Sequence, residues 1–135
     1  MNPAKTRGRC PVGRFTVQHV KGGYKFGLRA GNGQNVASSR VFFTLDDCLA
    51  AIEWVRKNAD APVAEGLHAP DEPLAASAAQ YRIYRCGGGG LGFCLLDEQG
   101  ETVLLSEGYT AKRSCRMGIA SIGRNAPGAP VAVNL

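Results

Sequence analysis

An α+β fold is predicted, made of two tandem copies of one unit: three strands, a helix and a short extended tail. Three observations lead there. The first is an internal repeat. Phe26 matches Phe93, Leu28 matches Leu95, Gly33 matches Gly100, Val36 matches Val103, Ser39 matches Ser106, Cys48 matches Cys115, Ile52 matches Ile119, and Asn58-Ala59 matches Asn125-Ala126. One offset relates all these pairs and shifts by one residue only in the glycine-rich stretch near Gly87. The second is a change of apolar period inside each copy, from two to 3.6, which marks strands followed by a helix. The third is size. A unit of about 50 residues is marginal alone, so two of them are expected to pool one core.

The strands come first. Arg14 to Val20 alternates, with Phe15, Val17 and His19 on one face and Thr16, Gln18 and Val20 on the other. Lys21-Gly22-Gly23 reads as a turn and Tyr24 to Ala30 as a second strand with Phe26 and Leu28 inward. Asn32-Gly33 predicts a type I′ hairpin turn, whose two central residues need positive φ. Gln34 to Ser38 is a short third strand. Thr44 to Asn58 is a helix with Thr44 as N-cap, Asp46 and Asp47 in the first turn, and Leu45, Cys48, Leu49, Ile52 and Val55 as its apolar stripe. The second copy repeats this at Tyr81 to Cys86, Leu91 to Leu96, Thr102 to Leu105 and the helix Thr110 to Arg124, with Thr110 as candidate cap. Gly118 and Gly123 each weaken that helix by about 1 kcal/mol relative to Ala, and Gly118 suits a close approach of helix to sheet. Short extended pieces are expected around Val63 and at Val131 to Val133. The domain division that follows is a basic arm at 1–13, a first repeat at 14–63, a linker at 64–79 and a second repeat at 80–133.

Charge is uneven. The chain of 135 residues carries a formal net charge of +5, and no Asp or Glu precedes Asp46, whereas Lys5, Arg7, Arg9, Arg14, Lys21, Lys25, Arg29 and Arg40 do. Such asymmetry points either to a polyanion-binding half or to a solvated tail and strand faces. There is no apolar segment near the ~20 residues of a membrane span and no secretory pattern, so a cytoplasmic protein is expected.

Site chemistry is sparse. Cys10, Cys48, Cys86, Cys94 and Cys115 contain no CxxC pair, which argues against zinc and thioredoxin-type sites. Cys48 and Cys115 sit in the helical stripes as small core residues, while Cys86 and Cys94 flank a hairpin and could face each other. Gly87 to Gly92 formally satisfies GxGxxG, but a strand follows where a dinucleotide site needs a helix, so a hairpin loop is expected. His19 and His68 have no triad partners in evidence, and the acid pairs Asp46-Asp47, Asp71-Glu72 and Asp97-Glu98 lie at ordinary solvated places. No enzyme, metal or cofactor is expected.

The strings FGLRAGNGQNVASS and SEGYTAKRSCRMGIASIGRNA resemble the YegP-like family of small bacterial proteins. The second copy carries the pattern through Ser106, Glu107, Tyr109, Gly118, Ile119, Asn125 and Ala126; the first departs at Arg40, Phe42 and Ala51. The resemblance implies tandem β-β-β-α-β units that share one mainly antiparallel sheet and exchange their terminal strands. It lends no catalytic residues. With the matched inward stripes it leads to a pseudo-twofold domain with both helices on one face, self-sufficient as a monomer. Tethering makes the exchange plausible, since it holds the units at roughly millimolar effective concentration.

The expected function is a non-enzymatic interaction module of unassigned partner. The first alternative is weakly sequence-specific nucleic-acid binding. Lys5, Arg7, Arg9, Arg14, Lys25, Arg29 and Arg82 would neutralise phosphate, and Tyr84 would stack a base on an open sheet face. The second alternative is a small-molecule binder.

Overall fold

The computed structural model describes residues 13–64, 66–68 and 78–134. Its elements, numbered here in chain order, are β1 (Arg14–Val20), β2 (Gly23–Arg29), β3 (Asn35–Ser39), α1 (Leu45–Asn58), β4 (Gln80–Arg85), β5 (Leu91–Leu96), β6 (Thr102–Tyr109), α2 (Lys112–Asn125) and β7 (Val131–Asn134). The strands form one mixed seven-stranded sheet in the order β4-β5-β6-β3-β2-β1-β7. β1 and β7 run parallel; the other neighbours are antiparallel. β3 and β6 meet at the middle, where Ser38 pairs with Leu105 and Ser39 with Leu104.

Alternation decides which side chains are buried. Phe15 and Val17 of β1, Phe26 and Leu28 of β2, Tyr81 and Ile83 of β4, and Phe93 and Leu95 of β5 are all fully buried. They join Cys48, Ile52 and Val55 of α1 and Cys115, Ile119 and Ile122 of α2 in one continuous cluster. His19, expected on the same face as Phe15, is exposed at the strand end and rests against Tyr24 with ring centroids 5.0 Å apart.

The hairpins explain the register. Gly33 N donates to Ala30 O, Ala30 N donates to Gln34 O, and only Gly33 of the pair Asn32-Gly33 has positive φ, at 88°. The type I′ expectation is therefore corrected. The loop holds three residues, a tight turn closed by a left-handed glycine that makes a bulge. Gly100 N to Asp97 O and Asp97 N to Glu101 O repeat the arrangement in the second half, with Gly100 at φ 82°. The shifted offset has an equally local cause. The β1–β2 loop closes Val20 on Gly23, whereas the β4–β5 loop closes Cys86 on Gly90 through the short turn Gly87–Gly89. One extra residue sits there, and β5 follows directly, so the formal GxGxxG string is a hairpin loop.

The segments after the helices lie against strands of the opposite half. Phe15 N donates to Pro130 O at 2.8 Å, and β7 runs beside β1. Tyr81 N donates to Pro62 O at 2.9 Å, Ala64 N to Tyr81 O and His68 N to Ile83 O, with parallel bridges at Val63–Tyr81 and His68–Tyr84. Side chains add further ties: Tyr81 Oη donates to Ala59 O at 2.7 Å, and Arg56 of α1 donates to Ala129 O while its guanidinium lies over the Phe15 ring.

The helix starts differ. Thr44 caps α1, accepting from Asp47 N at 3.0 Å. At α2 the expected cap Thr110 is corrected: Ala111 holds the cap position and offers no side-chain bond. The repeat explains this, because the equivalent of Thr44 is Ala111, not Thr110.

Four outcomes are expected in denaturant melts. Phe26→Ala and Phe93→Ala should each cost about 3–5 kcal/mol through lost transfer energy and a residual cavity. The exposed Lys21→Ala should stay within about 0.5 kcal/mol. Gly118→Ala should destabilise by about 1–3 kcal/mol despite its better helix propensity, since a Cβ there would lie 2.6 Å from Tyr109 Oη and 2.9 Å from Phe93 Cε2. Adding Tyr109→Phe should recover part of that loss, because the first half pairs Phe42 with Ala51 at the equivalent positions.

Candidate functional site

Among the described residues, Arg14, Lys25, Arg29, Arg82 and Tyr84 do not form one open surface. Lys5, Arg7 and Arg9 lie outside the described residues. Arg14 and Arg29 face each other across β1–β2, and Lys25 faces Gln18, on the parity opposite to Phe15 and Phe26. Arg29 Nη1 donates to Gly33 O at 3.0 Å. Arg82 and Tyr84 correct the expectation of an open stacking platform: they are only 3% and 4% exposed. Tyr84, Cys94 and Leu96 make a second, smaller buried cluster with Cys86 packed against it. Tyr84 Oη donates to Glu107 Oε2 at 2.8 Å. The chain at Gly66–His68, expected to be free linker, runs along the edge of β4 beside Tyr84.

Cys86 and Cys94 do not oppose each other, since Cys94 pairs with Arg82 while Cys86 closes on Gly90. Burial pushes the Cys94 thiol up to about 11, with Arg82 opposing the shift. Burial and the neighbouring Glu107 also raise Cys86, and burial followed by the hydrogen bond to Glu107 raises Tyr84. These groups are held protonated at neutral pH, the reverse of what an activated nucleophile requires. Among the described residues no group of three or more His, Cys, Asp or Glu could hold a metal ion, and no helix is long and apolar enough to cross a membrane.

A cleft of about 1090 Å³ lies between the β2–β3 loop and one face of α2. Its helix wall is Ser114, Met117, Gly118, Ser121 and Asn125, one stripe at spacings of three and four residues. Its floor holds Ser106 and Tyr109, whose hydroxyls lie 3.1 Å apart, and the loop supplies Gly31, Asn32 and Gln34. Arg124 and Glu107 are the charged residues at its margins. Gly118 lets the Tyr109 hydroxyl reach under the helix. Asn125 Nδ2 donates to Ser121 O at 2.8 Å and to Ser121 Oγ at 3.1 Å, which orients both groups.

A second concavity of about 350 Å³ is lined by Arg40, Phe42, Phe43, Asp47, Ala51, Trp54, Asp97 and Val103. The repeat offset carries all of these except Phe43 onto Glu107, Tyr109, Ser114, Gly118, Ser121, Ala30 and Val36 of the large cleft. The two clefts occupy equivalent places, and they differ in content. Trp54 Nε1 donates to Glu98 Oε1 at 3.3 Å, which holds an indole in the lining of the small one. The equivalents of Trp54 and Glu98 are Ser121 and Gly31, too short to bridge. Sequence reading missed both clefts, because each is walled by residues from both halves. Ranking equivalent positions by difference in side-chain size would have singled out Trp54 and Ser121.

A family model described as "Domain of unknown function (DUF1508)" matches residues 20–65 and again 88–132. A UPF0339 protein in the ptx operon 5′ region of Stutzerimonas stutzeri is 30% identical over 120 residues, covering 88% of this chain and 94% of its own length. A UPF0339 protein of Treponema denticola is 42% identical over 56 residues, which is 40% of this chain but 97% of that relative. The solution NMR structure of yegP from E. coli, titled a protein of unknown function, superposes with a TM-score of 0.72 at 23% identity, covering 94% of this chain and 97% of that one. A UPF0339 protein structure from Shewanella oneidensis gives 0.70 at 19% identity, covering 90% and 91%. The folds are shared, and none of these names assigns an activity.

The Cys94 thiol makes a pH test available. Its folded value of about 11 exceeds the ordinary 9.0, so it favours folding fully below about pH 9 and progressively less as pH rises through 11. The melting temperature should fall across that window, and Cys94→Val should flatten the fall; a profile identical in both proteins would contradict the assignment.

Proposed function

This chain belongs to the DUF1508 family, and we propose that it serves as a non-enzymatic interaction module whose partner binds the cleft along α2. The observation that carries the reading is the cleft itself: open, of ligand-site size and lined by hydroxyl and carboxamide groups. Protonated thiols in the Tyr84 cluster and the sparse chemistry of the sequence count against a reaction centre. Phe43, 86% exposed, and Val41 give further apolar surface ahead of α1 that suits a partner.

In this reading the architecture is a pseudo-twofold domain with both helices on one face and exchanged terminal strands. The basic arm spans 1–13, the repeats 14–63 and 80–133, and 64–79 joins them. Support comes from the matched hydrogen bonds of the two hairpins, the matched bonds Phe15–Pro130 and Tyr81–Pro62, and the single buried cluster reached by both helices. The module works in the cytoplasm as a monomer, its halves paired within the chain.

A second reading has its own observation. Arg14 and Arg29 sit directly opposite each other, an arrangement of like charges that is destabilising unless an anion relieves it. Lys5, Arg7, Arg9, Arg14, Lys25 and Arg29 would then hold a nucleic-acid backbone. Affinity would fall by about 0.7–0.9 log units per log salt for each neutralised phosphate.

One experiment separates these. Isotope-labelled protein is titrated with cell extract that is untreated, nuclease-treated, protease-treated or dialysed. Amide shifts at Ser114 to Asn125 should survive nuclease and dialysis and vanish after protease treatment. Shifts confined to Arg14, Lys25 and Arg29 and abolished by nuclease would replace the first reading with the second. Cleft shifts lost on dialysis would indicate a small molecule, and no shift in any arm would refute all three.

A further inference from the structure

We infer that the cleft along α2 takes an extended peptide segment, read through its main chain, and that Trp54 narrows the equivalent cleft to about 350 Å³, so that the α2 side is the wider of the two sites. The inference rests on the interaction-module reading and adds the chemistry of the partner.

The narrowing follows from the paired positions. Trp54, Glu98, Ala50, Ala51 and Phe42 in or beside the small cleft become Ser121, Gly31, Met117, Gly118 and Tyr109 around the large one. Each of the first two changes removes bulk that would span the opening. Phe to Tyr adds a hydroxyl to the floor, and Ala to Gly makes room for it. Thus the large cleft differs from its twin both in width and in what it presents.

What it presents matches a peptide backbone. The hydroxyls of Ser106 and Ser121 and the carboxamides of Asn32 and Gln34, already bonded to Tyr109, to Asn125 and to each other, keep further donor and acceptor capacity beside the Ser114 hydroxyl, as alternating N–H and C=O groups require. Met117, 64% exposed on the helix wall, adds the adaptable apolar contact that variable side chains need. From Ser114 to Asn125 the helix wall is about 16 Å long at 1.5 Å per residue. That is the reach of about five residues of extended chain.

Other occupants fit less well. A polyanion finds one arginine and one glutamate at the margins and no net positive charge. A sugar ring finds no free aromatic face, because Tyr109 is half-buried, tilted against Phe93 with centroids 5.7 Å apart and tied to Ser106.

The test uses the full chain, isotope-labelled, and two probes: a randomised pool of N-acetylated, C-amidated hexapeptides of Ala, Ser, Val and Leu, and maltohexaose. Peptide should shift the amides of Ser106, Gly118 and Ser121 in a saturable way, and maltohexaose should not. Gly31→Glu with Ser121→Trp rebuilds the bar and should weaken peptide binding by about tenfold or more. Gly31→Glu alone, at a loop position without positive φ, should weaken it in the same direction should the double variant not fold. Trp54→Phe should leave it unchanged. Cleft shifts with maltohexaose but not peptide would overturn the ligand class while leaving the module reading intact. Silence from both probes while extract still shifts the cleft would do the same. Silence from probes and extract together would remove both. Unchanged peptide affinity in the barred variants, or its loss in Trp54→Phe, would overturn the role given to the Trp54 bar.

Discussion

The hydrogen bonds from Phe15 N to Pro130 O and from Tyr81 N to Pro62 O fasten this fold. Each joins the start of one half to the chain emerging from the other half's helix. β7 lies beside β1, and Val63 and His68 lie beside β4, because those bonds set the approach. With these links made, α1 and α2 reach a common buried cluster, and Tyr81, Arg56 and Ala59 form cross-links that neither half could build alone. The meeting of β3 with β6 spans two residue pairs, a short seam for a seven-stranded sheet. The burden of holding the halves together therefore falls on the shared core and the outer strands.

Much of this architecture was legible in the sequence because the signals are local or repeated. Strand parity at Phe26, Leu28, Phe93 and Leu95, the Thr44 cap and the helical stripes ending at Val55 and Ile122 are short-range patterns. Where reading strayed, a longer-range or finer constraint prevailed. Asn32 does not take positive φ, because Gly33 alone closes a three-residue loop. Thr110 does not cap, because the repeat register places Ala111 there. Arg82 and Tyr84 alternate as a surface pair would, but they are buried beside Cys94 and Leu96, with His68 running along the same strand edge. The clefts were illegible for the same reason: no single segment contains one, and the bond from Trp54 to Glu98 spans the two halves.

The Treponema denticola relative, matched over nearly its whole length by 56 residues, is one unit long. That length gives the Trp54 bar a consequence for how such a protein can change. Two copies of a one-unit chain joined by twofold symmetry must carry identical clefts, so a tryptophan that narrows one narrows both. Joining the units in one polypeptide removes that tie. A mutation in α1 no longer appears in α2, and one cleft can be given over to stability while the other keeps its polar lining. The fused chain is thus free to become a vectorial object, with a narrow side and a wide side, although both are written in one repeated sequence.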